Sequence, residues 1–235
     1  MDEKELAQLA VIEDNHWWFV ERRNLLRLWA ACLPTNSKVV DIGAGVGKQS
    51  LLLKNEFGFD VIAVEQSEYG SNQCNKNGIL TLQESATNLS LSDEIFDGVI
   101  AMDVLEHIKN DSKALAEISR VLKTDGKIFI TVPAFQFMWS RHDEAVDHFR
   151  RYSKNEIRIK LETNGFNVIK IRYWNSLLFP FALVRRLFNL GKSDLAMPGK
   201  LLNFLFGTIV AQERKNKIIS KFPGTSIIIL AEKVF

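Results

Sequence analysis

The run Asp41-Ile-Gly43-Ala-Gly45-Val-Gly47 combines residue types and spacing that suit a small, charged ligand. Val39 and Val40 ahead of it read as a buried strand, and a helix-like run begins at Lys48. Strand, glycine turn and helix in that order make a nucleotide-binding turn. Glycines at alternate positions let the backbone take positive φ and approach a ligand closely. The acid ahead of them narrows the choice. A dinucleotide rests its pyrophosphate on the helix N-terminus, and a carboxylate two residues before the first glycine repels it. The dinucleotide fingerprint also wants a glycine three residues after Gly45, where this chain has Lys48. A ligand with an ammonium and a sulfonium suits the position better than NAD.

Other residues are placed for chemistry. Glu65 closes the next apolar run, 24 residues after Asp41, where an acid accepts hydrogen bonds from both hydroxyls of a ribose. Asp103, Glu106 and His107 fall at i, i+3 and i+4, so a helical turn brings all three to one face. His142 and His148 lie in a long polar-aromatic connection, Ala134 to Tyr152. Histidine is the natural general base near neutral pH. The plainer role is that these histidines, with Arg150 and Arg151, fix the loop by hydrogen bonds. Near the N-terminus, His16-Trp17-Trp18-Phe19 and Arg22 either roof a pocket or pack a capping helix.

The elements that must position these residues are legible as a pattern. Helices are expected over 3–12 and about 17–32, the latter ended by Pro34. After the glycine turn comes a helix closed by Gly58, then a strand over 61–64, a helix over 68–77 and a strand over 79–82. A strand over 96–102, a helix over 111–122 and a strand over 127–132 follow. Strands alternating with helices predict an α/β, doubly wound and mostly parallel sheet. Ser153 and Glu156 form a capping box for a further helix that Gly165 closes. Strands are expected over 166–173 and 225–234, with two unusually apolar helices between them, 176–190 and 201–211.

Composition sets bounds. The 235 residues, 46% hydrophobic and with net charge +2, suit one globular domain and give no electrostatic reason to expect nucleic acid. Cys32 and Cys74 form no disulfide framework or metal pair by spacing. No run reaches the ~18 apolar residues of a spanning helix, the acidic N-terminus is unlike a signal peptide, and a cytoplasmic location is expected.

The order of these motifs resembles the class I S-adenosylmethionine-dependent methyltransferases. The residues that carry the resemblance are Asp41 to Gly47, Glu65, Phe96-Asp-Gly-Val-Ile100 and Leu122 to Gly126, within 38–133. It implies a Rossmann-like, seven-stranded sheet with the last strand antiparallel, and S-adenosyl-L-methionine as cofactor. It further implies that Gly43, Gly45 and Gly47 pass under the methionine portion, with Asp41 near its amino end. Glu65, with Gln66 beside it, would hold the ribose, Ser85 and Ala86 the adenine, and Met102 would lie under the reactive end. The family often has an Asp where this chain has Ser85. Trp18, Arg22 and His107 complete the expected cofactor contacts, Arg22 reaching a carboxylate.

The Asp103-Val-Leu-Glu106-His107 turn resembles one in ubiquinone-pathway O-methyltransferases and RNA-terminal 2′-O-methyltransferases, some of which bind a divalent cation. Metal-free relatives use a similar turn to shape the pocket, and no metal is expected here. The His-Trp-Trp-Phe segment and the 139–152 connection resemble a bacterial methyltransferase group associated with envelope sugar and lipid biosynthesis. The reading is a single domain: lid 1–35, cofactor core 36–133, and acceptor-side half 134–235 with a helical cap at 176–211. It would methylate an O or N nucleophile of a small or lipid-linked acceptor (sugar, isoprenoid or natural product), with His142 or His148 as base. The runners-up are a metal-dependent RNA 2′-O-methyltransferase and a non-catalytic cofactor binder. The apolar pair has three readings: an acceptor cap, a peripheral contact with the inner face of a membrane through Arg185 and Arg186, and a homodimer surface. The cap demands least.

Overall fold

Val39, Val40 and Ile42 are fully buried, so the strand β1 (Lys38–Ile42) has apolar contacts on both faces, as a parallel strand covered by helices requires. In the computed structural model, which describes residues 3–187, 197–216 and 218–234, β1 lies inside a seven-stranded sheet. The other strands are β2 (Asp60–Val64), β3 (Leu80–Leu82), β4 (Phe96–Met102), β5 (Leu122–Pro133), β6 (Phe166–Trp174) and β7 (Ser226–Lys233). Their order is β3-β2-β1-β4-β5-β7-β6. β7 runs antiparallel to both β5 and β6, and the pairs from β3 to β5 are parallel. This is the Rossmann-like sheet with an antiparallel last strand that the motif order predicts. The winding reverses between β1 and β4, which opens a crevice at their carboxyl ends.

The helices are α1 (Glu3–Ile12), α2 (Trp17–Ala30), α3 (Lys48–Phe57), α4 (Glu68–Lys76), α5 (Asp111–Val121), α6 (Arg141–Ala145), α7 (Lys154–Thr163), α8 (Phe179–Leu187) and α9 (Lys200–Lys215). Gly58 ends α3 in the left-handed region, as expected. One face of the sheet packs Ile118 and Leu161 on Val99 and Ile130. The other packs Leu26 and Trp29 of α2 against Ile100 and Phe129.

Several boundaries differ from the sequence reading, among them the end of α9, which runs to Lys215 rather than 211. Thr124-Asp125-Gly126 does not separate helix from strand; β5 already pairs at Leu122 with Phe96, and the register then shifts to Lys127 opposite Gly98. Asp125, at φ 63°, lets the extra residues loop out as a bulge. The expected helix 176–190 begins at Phe179 and is seen to Leu187; 188–190 lie outside the described residues.

The N-terminal segment and α9, expected as separate lid and cap pieces, dock on each other. Asn203 of α9 accepts a 2.9 Å hydrogen bond from the Trp17 backbone and donates one of 2.8 Å to the Asn15 carbonyl. Arg214 bonds Glu21 at 3.0 Å, and the rings of Trp17 and Phe206 meet edge to face. The outer side of α9 leaves Leu201, Leu202 and Phe204 exposed. Among the described residues no helix is long and apolar enough to cross a membrane.

Candidate active site

The glycine turn floors a cavity of about 500 Å³ at the carboxyl ends of β1, β2 and β4. Gly43, Gly45 and Gly47 have φ of 70°, 58° and 82°, which L side chains rarely adopt. A Cβ on Gly43 would lie 2.5 Å from a Val104 methyl. Gly47 faces away from the cavity, with its missing Cβ against the Cys74 sulfur. It is a packing and turn residue rather than a cavity contact.

Glu65 sits at the end of β2 with both oxygens held by backbone, Gly45 N–H at 2.9 Å and Ser67 N–H at 2.8 Å. This ties the glycine turn to the start of α4 and fixes the carboxylate at the cavity wall. Asp41 is buried and accepts a 2.6 Å hydrogen bond from the Ser50 hydroxyl. Burial pushes its carboxyl up to about 7. A cation beside it would restore the full negative charge. Gln66, Ser85, Ala86, Met102 and His107 also line the cavity.

Arg22 lines the cavity and is held there by contacts within the chain. Its guanidinium pairs with Asp103 at 3.2 Å and donates to the Met102 carbonyl at 3.0 Å. It clamps the end of β4 and still lines the cavity wall. Asp103 has φ 56°, a strained backbone for a non-glycine residue and a frequent mark of functional sites. Trp18 does not reach the first cavity; its ring lies 4.4 Å from that of Trp174 and lines a second cavity of about 280 Å³. The two cavities share Leu9, Phe19, Arg22, Asp103 and His107 as walls.

His142 and His148 both line the second cavity, with ring centroids 6.3 Å apart. His148 Nδ1 lies 2.9 Å from Asp143 Oδ1. Asp143 is fully buried and also pairs with Arg151 at 2.7 Å and with Arg186 of α8 at 3.0 Å. Although burial raises it, the His148 hydrogen bond and the two guanidinium groups hold its carboxyl well below the usual range. Sequence reasoning missed Asp143. Its signal was the Ser140-x-x-Asp143 spacing of a helix cap, and Asp143 does accept from the Ser140 backbone at 2.9 Å. Arg186 therefore turns inward, so the pair Arg185 and Arg186 does not form a joint outward contact with headgroups. Arg150 serves the loop-fixing role, pairing with Asp111 at 3.0 Å beside the buried Tyr152 hydroxyl on the same carboxylate.

Glu106 and His107 fall in a single 3-10 turn, Leu105–His107, after β4. Burial, then the nearby His148, lower His107 to about 3, so its ring is neutral. Glu106, His107 and His148 each offer one ligand atom within 4.8 Å of the others, which is the metal-capable grouping found among the described residues.

Comparison with known proteins places this geometry. Residues 40–130 match the family model described as a methyltransferase domain. An uncharacterized protein of Methanocaldococcus jannaschii, MJ1252, is 37% identical over 95 residues, 40% of this chain and 36% of that one. (S)-coclaurine N-methyltransferase of Papaver somniferum is 27% identical over 137 residues, 55% of this chain and 35% of that one. The alignments thus span about a third of the length of these relatives. The crystal structure of a SAM-dependent methyltransferase from Archaeoglobus fulgidus superposes with TM-score 0.67 at 21% identity, covering 99% of this chain and 100% of that one. The chain has the fold of that enzyme.

Proposed function

We propose that this methyltransferase-domain protein transfers the methyl group of S-adenosylmethionine to an oxygen or nitrogen nucleophile of a small acceptor. The observation that carries the reading is the pairing of cavities. One is built on the Gly43–Gly45 turn and Glu65 within the matched segment, and it shares a wall with a second that holds His142 and His148. The residues of the first fit the cofactor. Gly43 and Gly45 line the cavity with bare backbone held at positive φ, and a cation beside the buried Asp41 would stabilise its charged form.

Gly43 and Gly45 would pass under the methionine portion, with Asp41 near its ammonium. Glu65 and Gln66 would hold the ribose, Ser85 and Ala86 the adenine. Bound there, S-adenosylmethionine supplies an electrophilic methyl on a sulfonium and leaves as S-adenosylhomocysteine. The chain's own part is to orient the acceptor and exclude water, which alone can supply much of the rate of an in-line displacement. His148, oriented by Asp143, is the better placed of the two histidines to accept a proton. His142, on α6, lines the acceptor side.

Ligand-dependent stability tests this reading. S-adenosylmethionine at about 100 times its Kd should add about 2.7 kcal/mol and raise Tm by roughly 5–10 °C. A Tm indifferent to both S-adenosylmethionine and S-adenosylhomocysteine would contradict it.

A further inference from the structure

Folded chains rarely leave several large apolar side chains exposed together unless something covers them. On α9, Leu201 is 72% and Phe204 69% exposed, with Leu202 and Leu205 also outward, and α8 adds Phe181 and Val184. At about 100° per residue, Leu201, Phe204, Leu205, Thr208, Gln212 and Lys215 fall on one face of α9, and all six are exposed. The opposite face is already used, because Phe206 and Val210 join the apolar cluster of α2. The unpartnered face is therefore apolar in its first half and polar in its second.

This face adjoins the second cavity. The rings of Phe181 and Phe206 lie 5.9 Å apart, which joins α8 to α9, and both residues line that cavity. Phe181 is also exposed, so it stands at the cavity rim.

Charge selects the occupant. From Ser176 to Lys221 the sequence holds eight Lys and Arg and two acids, in a chain of net charge +2, so the remainder is net acidic. Of the two acids, Glu213 is buried and accepts from the Ser176 N–H at 2.8 Å; Asp194 lies outside the described residues. Lys200 and Lys215 stand exposed at the two ends of α9. A second copy docked about a two-fold axis would set this basic face against itself, a like-charge contact that disfavours the pair. A bilayer with anionic headgroups meets both features, taking the leucines and phenylalanines into its boundary and the lysines among its phosphates. Among the described residues no helix can cross a membrane, so α9 would lie along the surface.

We infer that the α8–α9 face docks on an anionic phospholipid surface. Leu201, Phe204 and Leu205 enter the boundary between headgroups and acyl chains, and Lys200 and Lys215 meet the headgroups. The rim of the second cavity then stands beside the lipid. This docking goes beyond the methyltransferase reading and does not depend on it.

Flotation with vesicles of phosphatidylcholine, alone or in equal mixture with phosphatidylglycerol, tests it. The wild type should bind the mixed vesicles about tenfold or more tightly than the neutral ones, and added salt should weaken that binding. Leu201→Glu with Phe204→Glu should abolish it, and Lys200→Glu with Lys215→Glu should remove most of the preference for the anionic vesicles. All four residues lie outside the lining of both cavities, so binding of S-adenosylhomocysteine should be unchanged and shows that each variant is folded. The wild-type comparison between vesicles stands even if a variant folds poorly. A wild type that floats with neither vesicle, or equally with both, overturns the inference. So does a Leu201→Glu, Phe204→Glu variant that floats like the wild type, or a dimer in sedimentation that this variant dissolves. Loss of S-adenosylhomocysteine binding in the wild type would count against the donor reading instead.

Discussion

A carboxyl as buried as Asp41 holds its proton more tightly in the folded chain than in the unfolded one. Its folded value of about 7 lies above the ordinary 3.8. Between about pH 4 and 7 the folded chain therefore keeps a proton that the unfolded chain has lost. That contribution to stability is full below about pH 4 and is lost as pH rises to 7. Asp41→Asn keeps an acceptor for Ser50 and removes the titration. Urea denaturation from pH 4 to 7.5 should show a smaller loss of stability in the variant, by roughly 2–4 kcal/mol; parallel profiles would contradict the assignment. Glu65→Ala frees the Gly45 and Ser67 N–H groups and should weaken S-adenosylhomocysteine binding about tenfold or more, at about 1 kcal/mol per hydrogen bond. Both acids were legible, because glycine spacing and strand ends mark them along the chain. Asp143 and the inward turn of Arg186 were not, since their partners lie 43 residues apart and meet only once α8 has folded back.

At the level of elements, the alternation of strands and helices was legible through period and punctuation. The bulge inside β5 was not, because Thr-Asp-Gly signals a turn whether or not the strand resumes in register. The glycine turn and the Gly58 cap differ in what surrounds them, and so should their variants. Gly58→Ala meets nothing within 4 Å and should cost only the left-handed backbone, about 1 kcal/mol, with ligand binding intact. Gly43→Ala drives a methyl into Val104 and should cost more, roughly 2–4 kcal/mol, and abolish cofactor binding. Chemical denaturation with calorimetry separates the two. Asp143→Ala leaves Arg151 and Arg186 without their shared buried carboxylate, and should destabilise by about 3–5 kcal/mol. It should also speed tryptic cleavage in α8; unchanged cleavage would mean that α8 is held by other contacts.

In the molecule as a whole, the sheet presents two cavities at the β1–β4 crevice, the second walled by residues of α2, α6, α8 and α9. Sequence alone set the glycine turn and the histidine loop on different connections, and they line different cavities. It could not join lid to cap, because Asn203 meets Trp17 across 186 residues. The reading proposed above has the glycine-floored cavity bind S-adenosylmethionine and its product in preference to a dinucleotide. Isothermal titration of the protein with S-adenosylhomocysteine and, separately, NAD measures this directly. The predicted result is one-to-one binding of S-adenosylhomocysteine, lost in Gly43→Ala, with no heat from NAD; binding of NAD, or of neither ligand, would contradict it.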